Sequence, residues 1–179
     1  HEATHSDIMR GLTPSFFMQE VKVIDNFLSE EEHVDISNYV NGIRWTMQVS
    51  NTNTPGLHFL YGDVCNVDYF NTHLFRGVKS ATGMNVKVSQ VYFNGQWPGR
   101  EGEFHRDPCD LTALIYVSKC KPQWGGFTQI LLDDGREVVV SPKERRMIIF
   151  PGKCLHKGYA FSYQSCPMRV SLAYKLDLC

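Results

Sequence analysis

Hydrophobic and polar positions change their period about halfway along this chain. Residues 20–27 (EVKVIDNF) alternate, the pattern of a half-buried strand. Ser29 follows with Glu32 three positions later, a pairing that caps the start of a helix reciprocally. Ile36, Tyr39, Val40 and Ile43 then recur at helical steps and give that helix a buried stripe. A second helix is predicted over residues 67–81, with Phe70, Leu74, Phe75 and Val78 on one face and Gly83 as its stop. Between the two helices, residues 45–66 are polar at their centre (SNTNTPG, 50–56) and are predicted to be a long loop. A loop of that length inside a compact domain suggests a lid over a binding site.

From residue 85 onward a period of two takes over. Val86, Val88, Gln90 and Tyr92 fall on one face of a predicted strand. Residues 111–118 are apolar and rich in branched side chains, and 127–132 and 137–140 flank Asp134-Gly135, a two-residue hairpin signal. Segments 147–150 and 168–176 complete the set. Helices followed by many strands with tight turns predict a mainly β, antiparallel fold with N-terminal helices supporting one side. A single domain is expected, with a helical support region and lid loop over 1–83 and a strand-built core over 84–179. No G-x-G-x-x-G or Walker motif suggests a nucleotide cradle.

Composition narrows the partners. Among 179 residues, 18 basic and 19 acidic side chains leave a formal charge of −1. A chain of this length buries roughly 70% of its unfolded surface without a staple. Balanced charge offers no basic footprint, so neither nucleic acid nor an anionic membrane is an expected partner. The longest largely apolar run, 111–117, is far shorter than the ~20 residues that cross a bilayer. Residues 1–10 lack the apolar stretch of a signal peptide, so a cytoplasmic setting is expected, in the host cytoplasm if the chain is viral. Cys65, Cys109, Cys120, Cys154, Cys166 and Cys179 form no C-x-x-C pair and read as reduced thiols.

The candidate chemistry rests on histidine. An H-x-D pair with a distant His is the facial triad of non-haem iron sites, which leaves adjacent coordination positions open. The chain holds three H-x-D copies. His5-Ser6-Asp7 lies near the terminus, without a scaffold. His33-Val34-Asp35 lies on the first predicted helix, where positions i and i+2 diverge by about 200°. His105-Arg106-Asp107 stands in strand context, where i and i+2 point the same way. His156 follows the 147–150 strand and a Pro151-Gly152 turn that brings it back toward that pair. Arg169 and Ser171 share one face of the last strand, and an inward Arg requires an anion. The C5 carboxylate of 2-oxoglutarate suits a bidentate guanidinium, and Tyr92 can donate its hydroxyl to the same molecule. Taken singly, each residue has a plainer role: His156 or Tyr92 as core, Arg169 as the partner of Asp110 or Glu137. The ordered set is what carries the argument.

Several stretches also carry a family resemblance: Tyr92-Phe93-Asn94-Gly95-Gln96, Phe104-His105-Arg106-Asp107, Trp124-Gly125-Gly126-Phe127-Thr128, Ile149-Phe150-Pro151-Gly152 with His156 beyond it, and Arg169-Val170-Ser171-Leu172. Over 86–176, and in an opening strand at 21–28, the chain resembles the Fe(II)/2-oxoglutarate-dependent dioxygenases. The likeness is to the prolyl 4-hydroxylase-like branch, including small stand-alone and viral members. This resemblance implies a double-stranded β-helix (jelly roll) with iron in its mouth. His105, Asp107 and His156 are then the metal ligands, Arg169 holds the 2-oxoglutarate tail, and Tyr92 and Ser171 assist. It further implies Fe(II), with 2-oxoglutarate and O2 as co-substrates and ascorbate as an optional addition. A C–H bond of a peptide, such as a prolyl residue, or of a small molecule would be hydroxylated, with release of succinate and CO2. Two features depart from collagen-type enzymes of animals and plants: Arg169 replaces their Lys, and the segment from Tyr92 to His105 is longer.

Two other readings compete. A zinc site can be drawn from His105, Cys109, Cys120, Cys154 and His156, although it leaves Asp107 and Arg169 unexplained. A non-catalytic jelly-roll binding module would keep the fold without turnover. Tyr61, Trp97, Arg100 and Trp124 are candidates to line a substrate groove.

Overall fold

The computed structural model describes residues 20–49, 58–163 and 166–179, so His5-Ser6-Asp7 and the polar centre of the expected lid lie outside the described residues. The alternation at the start yields only a short strand, β1 (Lys22–Ile24), because Asn26 turns the chain with a φ of 53°. Helix α1 (Glu30–Gly42) follows, and its capping box is complete. The Glu32 amide donates to Ser29 Oγ (3.1 Å) and the Ser29 amide to Glu32 Oε2 (2.8 Å), satisfying two otherwise orphaned donors. The second helical region opens as a π-helical stretch, Tyr69–Leu74, and continues as α2 (Phe75–Thr82). It stops at Gly83, whose φ of 69° is left-handed.

The described part of residues 45–66 is mostly strand, not loop. It holds β2 (Thr46–Val49) and β3 (His58–Asp63), paired antiparallel. Their pattern hid them for physical reasons. Thr46, Met47 and Gln48 of the edge strand β2 are exposed, so they show no apolar period. Gly62 in β3 reads as a turn residue, yet it is there for space, since a Cβ would stand 2.7 Å from Ile43 Cδ1.

The remaining strands are β4 (Val86–Gln96), β5 (Leu111–Tyr116), β6 (Thr128–Leu131), β7 (Glu137–Val140), β8 (Met147–Pro151), β9 (Leu155–Gly158) and β10 (Arg169–Leu178). They form a seven-stranded sheet in the order β1-β8-β5-β10-β4-β3-β2 and a three-stranded sheet in the order β7-β6-β9, with every pairing antiparallel. One face of the large sheet buries Val91, Phe93, Ile115, Leu172 and Tyr174 against Ile36, Phe70, Leu74 and Val78 of the helical regions. The other face buries Tyr116, Ile148 and Phe150 against Ile130, Leu132 and Val140 beside the small sheet. At about 1.5–3 kcal/mol for each fully buried large apolar side chain, these two layers supply most of the cohesion. Two sheets rolled face to face in this way make a double-stranded β-helix, with helices covering one side.

The period of two fails at one place that matters. In the β4–β10 register Lys175 pairs with Gln90 but Leu176 pairs with Val88, so Ser89 is the extra residue of a bulge. Val86 and Val88 therefore join the helix-side core, while Gln90 and Tyr92 face the opposite way, into a cavity. The four residues do not share a face. After the bulge, Gln90, Tyr92, Asn94 and Gln96 line up beside Lys175, Ala173, Ser171 and Arg169.

A candidate metal and co-substrate site

The H-x-D segment lies in no named strand. It is held by an isolated antiparallel bridge between His105 and His156, with both amide-to-carbonyl bonds at 2.9 Å. The Asp107 amide donates to the Gly152 carbonyl at 2.8 Å, fixing the other end. Gly152 permits this approach, because a Cβ there would stand 2.7 Å from the Cys109 carbonyl oxygen and 2.6 Å from its Sγ. An extended segment pinned at both ends turns His105 and Asp107 to one side, as a strand would.

The ligand atoms of His105, Asp107 and His156 all lie within 4.8 Å of one another. His105 Nδ1 is 2.8 Å from the Glu103 carbonyl oxygen, and His156 Nδ1 is 2.8 Å from that of Cys154. A carbonyl only accepts, so each neutral ring carries its proton on Nδ1 and presents the Nε2 lone pair to the site. Those Nε2 atoms lie 3.7 Å (His105) and 3.3 Å (His156) from Asp107 oxygens. Burial and the neighbouring His156 push the His105 pKa down, which keeps its lone pair free. Burial alone would raise the Asp107 pKa, but the neighbouring His156 ring and the ammonium of Lys175 hold it far below the usual carboxylate range. Two imidazole lone pairs and an ionised carboxylate in one cluster are a donor set that fits a divalent transition metal.

Cysteines do not join this set. Among the described residues the group contains His105, Asp107 and His156 alone, and the Cys109 thiol donates to the Leu111 carbonyl instead. All six thiols are free. His33, of the helical H-x-D copy, contacts the Val117 carbonyl at 2.7 Å and ties α1 to the sheet.

Arg169 is 2% exposed. Its Nε donates to the Gly126 carbonyl (2.8 Å), one terminal nitrogen to Gln96 Oε1 (2.8 Å) and the other to Thr128 Oγ1 (3.1 Å). The plane stands over the Tyr116 ring at 5.4 Å. Burial works against its charge, yet a guanidinium stays protonated. Neither Asp110 nor Glu137 serves it: Asp110 accepts from the Leu178 amide, and Glu137 accepts from Gln129. None of the ion pairs among the described residues includes Arg169.

One cavity of about 240 Å3 joins these parts, lined by His105, Asp107 and His156 at one end and Arg169, Ser171 and Gln96 toward the other. Ser171 Oγ and Asn94 Oδ1 are buried there without a hydrogen-bond partner among the described residues. Tyr92 lines it as well, stacked on Tyr61 at 4.8 Å between ring centroids. Burial, with Asp63 nearby, pushes the Tyr61 hydroxyl up to about 12. Of the four groove candidates, Tyr61 and Arg100 line the cavity. Trp97 is exposed, and Trp124 packs edge-on against Phe161 in the short turn Pro122–Trp124.

Sequence reasoning missed Gln96, Thr112 and Lys175. Gln96 accepts from Arg169 and donates to the Gly158 carbonyl, so it aims the guanidinium. Thr112 Oγ1 donates to Asp107 Oδ2 at 2.6 Å, and the Lys175 ammonium bonds the same oxygen. A signal for Lys175 existed: it falls on the same period-two face as Arg169 and Ser171.

No family model matches the chain, and no curated protein matches it. Solved structures do. An oxidoreductase of the 2OG-Fe(II) oxygenase family from Burkholderia pseudomallei superposes with a TM-score of 0.72 at 10% identity, covering 88% of this chain and 84% of that one. A prolyl-4-hydroxylase from Pseudomonas putida gives 0.65 at 15% identity, covering 89% and 92%. The viral collagen prolyl hydroxylase of Paramecium Bursaria Chlorella virus-1, in its 2OG complex, gives 0.58 at 16% identity, covering 89% and 96%. At these identities the likeness is one of fold. The chain has the double-stranded β-helix of the 2-oxoglutarate/Fe(II) oxygenases.

Among the described residues, no helix is long and apolar enough to cross a membrane.

Proposed function

We propose that this chain is an Fe(II)- and 2-oxoglutarate-dependent oxygenase that hydroxylates a C–H bond of a peptide or small molecule. The observation that carries this reading is Arg169: a fully buried cation without an acidic partner among the described residues, sharing one cavity with a two-His, one-Asp donor set. A buried charge left this way is costly unless an anion arrives.

His105, Asp107 and His156 would hold the metal through two Nε2 atoms and one carboxylate oxygen. Iron bound there supplies oxygen activation, coupling 2-oxoglutarate + O2 + R–H to succinate + CO2 + R–OH. The chain's own residues orient and enclose. Arg169 has five N–H groups and three acceptors in the protein, so donors remain for the far carboxylate of 2-oxoglutarate. Ser171 Oγ, buried without a partner, offers a further hydrogen bond to the same molecule. Tyr92 supplies the wall between the co-substrate and the β2–β3 hairpin.

A peptidyl prolyl residue is the finer reading. Two of the fold relatives are named as prolyl hydroxylases, and the stacked Tyr61–Tyr92 pair gives a flat apolar surface for a pyrrolidine ring. The test is succinate release from protein reconstituted with Fe(II) under air, with 2-oxoglutarate and proline-containing peptides set against free amino acids. Succinate formed equally by Asp107→Ala protein, or not formed by the folded metal-loaded chain with any substrate, overturns the proposal.

A further inference from the structure

Lys175 is 7% exposed and sits on β10 opposite Thr112 of β5 and Gln90 of β4. Its ammonium bonds Asp107 Oδ2, the oxygen that also accepts from Thr112 Oγ1. The Tyr92 ring centroid is 5.8 Å away, and Asp107 is the one acid paired with Lys175 among the described residues. Each charge of this buried pair is neutralised by the other. The same carboxylate stands 3.3 Å and 3.7 Å from the two imidazole Nε2 atoms, where a divalent cation would be held.

We propose that Lys175 is the resident counter-ion of this site: its ammonium holds Asp107 while no metal is bound, and so competes with the metal for that carboxylate. The inference rests on reading His105, Asp107 and His156 as a metal centre. Two physical consequences follow, and they act in the same direction. Removing the ammonium leaves Asp107 a buried carboxylate without its counter-ion, which destabilises the metal-free protein. It also removes a positive charge next to a bound dication, which relieves a repulsion present only in the metal-loaded protein. Both raise metal affinity. A side chain that merely fills space would lower the stability of both states alike and leave affinity unmoved. One that aligns Asp107 for the metal would weaken binding when lost.

The test uses Mn2+ alone as probe. Binding is measured at fixed pH by the electron paramagnetic resonance signal of the free ion, in wild type, Lys175→Met, Lys175→Gln and Lys175→Arg. Met and Gln variants are expected to bind Mn2+ at least about tenfold tighter, equivalent to about 1.4 kcal/mol. Their Tm should fall in EDTA by more than it falls in saturating Mn2+, and Arg should restore wild-type affinity. Recovery of Lys175→Met as folded protein only when Mn2+ is present would point the same way. Met and Gln variants that fold without metal yet bind Mn2+ no more tightly than wild type overturn the proposal. Asp107→Ala separates the two layers of argument. Loss of Mn2+ binding in that variant upholds the metal centre whatever Lys175 does, whereas unaltered binding removes the centre and this inference together.

Discussion

Replacing Arg169 with Met removes a buried charge while keeping most of its volume, and the outcome separates a co-substrate anchor from a structural residue. In the absence of ligand the opposing effects are comparable. Three acceptors, the Gly126 carbonyl, Gln96 Oε1 and Thr128 Oγ1, lose their donor at about 1–3 kcal/mol for any left unsatisfied. Against that, the desolvation of a guanidinium with no carboxylate partner, itself several kcal/mol, disappears. The ligand-free Tm should therefore change modestly. Ligand binding is different, because the charge-assisted contact to the far carboxylate is lost outright. Taking ~3 kcal/mol for leaving one charge of such a buried pair alone, the Kd for 2-oxoglutarate rises roughly 160-fold.

Thermal shift reads this directly. In Ni2+-loaded protein, 2-oxoglutarate at about 100 times the wild-type Kd contributes about 2.7 kcal/mol. For a chain of this size that is a Tm gain of roughly 5–10 °C. The same concentration is about 0.6 times the variant's Kd and contributes about 0.3 kcal/mol, or ~1 °C. Arg169→Lys should fall between, since a single ammonium keeps charge but not the fork. Arg145→Met, away from the cavity, serves as the control and should keep the full gain. A folded Arg169→Met protein that still gains several degrees would falsify the assignment of this residue to the co-substrate.

Other outcomes follow from the same geometry. His105→Ala, Asp107→Ala and His156→Ala should each abolish iron-dependent succinate release, whereas His33→Ala should leave turnover intact and lose about 1 kcal/mol of stability with its bond to the Val117 carbonyl; normal turnover in all three triad variants would sink the site. Gly152→Ala must push a Cβ into the Cys109 backbone, so about 1–3 kcal/mol of stability and several degrees of Tm should be lost, together with metal affinity, because the Asp107 amide rests on the Gly152 carbonyl. Asp25, bonded first by Arg146 and then by Lys143, has its pKa lowered to about 2. A depressed folded pKa means this contribution is present above the ordinary carboxylate range and is lost as pH falls through about 2. Urea midpoints of Asp25→Asn should consequently show a shallower decline between about pH 4 and 2 than wild type.

What the sequence made legible here was local, and what it hid was relational. The choice between the His33 and His105 copies of H-x-D needed only helical and extended geometry, and the copy in extended backbone is the one that meets His156. Arg169 and Ser171 share a face by simple alternation, and the structure puts both in the cavity. Alternation fails at Ser89 because a bulge is a disagreement between two strands, and β4 alone carries no mark of it. The β2–β3 pair was hidden because the edge strand β2 exposes Thr46, Met47 and Gln48 and so has no apolar period, while Gly62 interrupts β3. For Lys175 alternation gave the face, shared with Arg169 and Ser171, but not the role. Both faces of β10 are covered, so Arg169 through Leu176 are all buried and the strand shows no contrast between inside and outside. A lysine in such a strand reads as an exception until the chain that supplies its carboxylate, 68 residues earlier, is seen folded against it. Charges that only tertiary contact can neutralise are also the ones a ligand can redistribute. Among the described residues Arg169 has no anion of its own, and Lys175 shares one that a metal would claim. The two cations on one face of β10 thus mark the two ends of the pocket, one for each of the charged species it is proposed to take up.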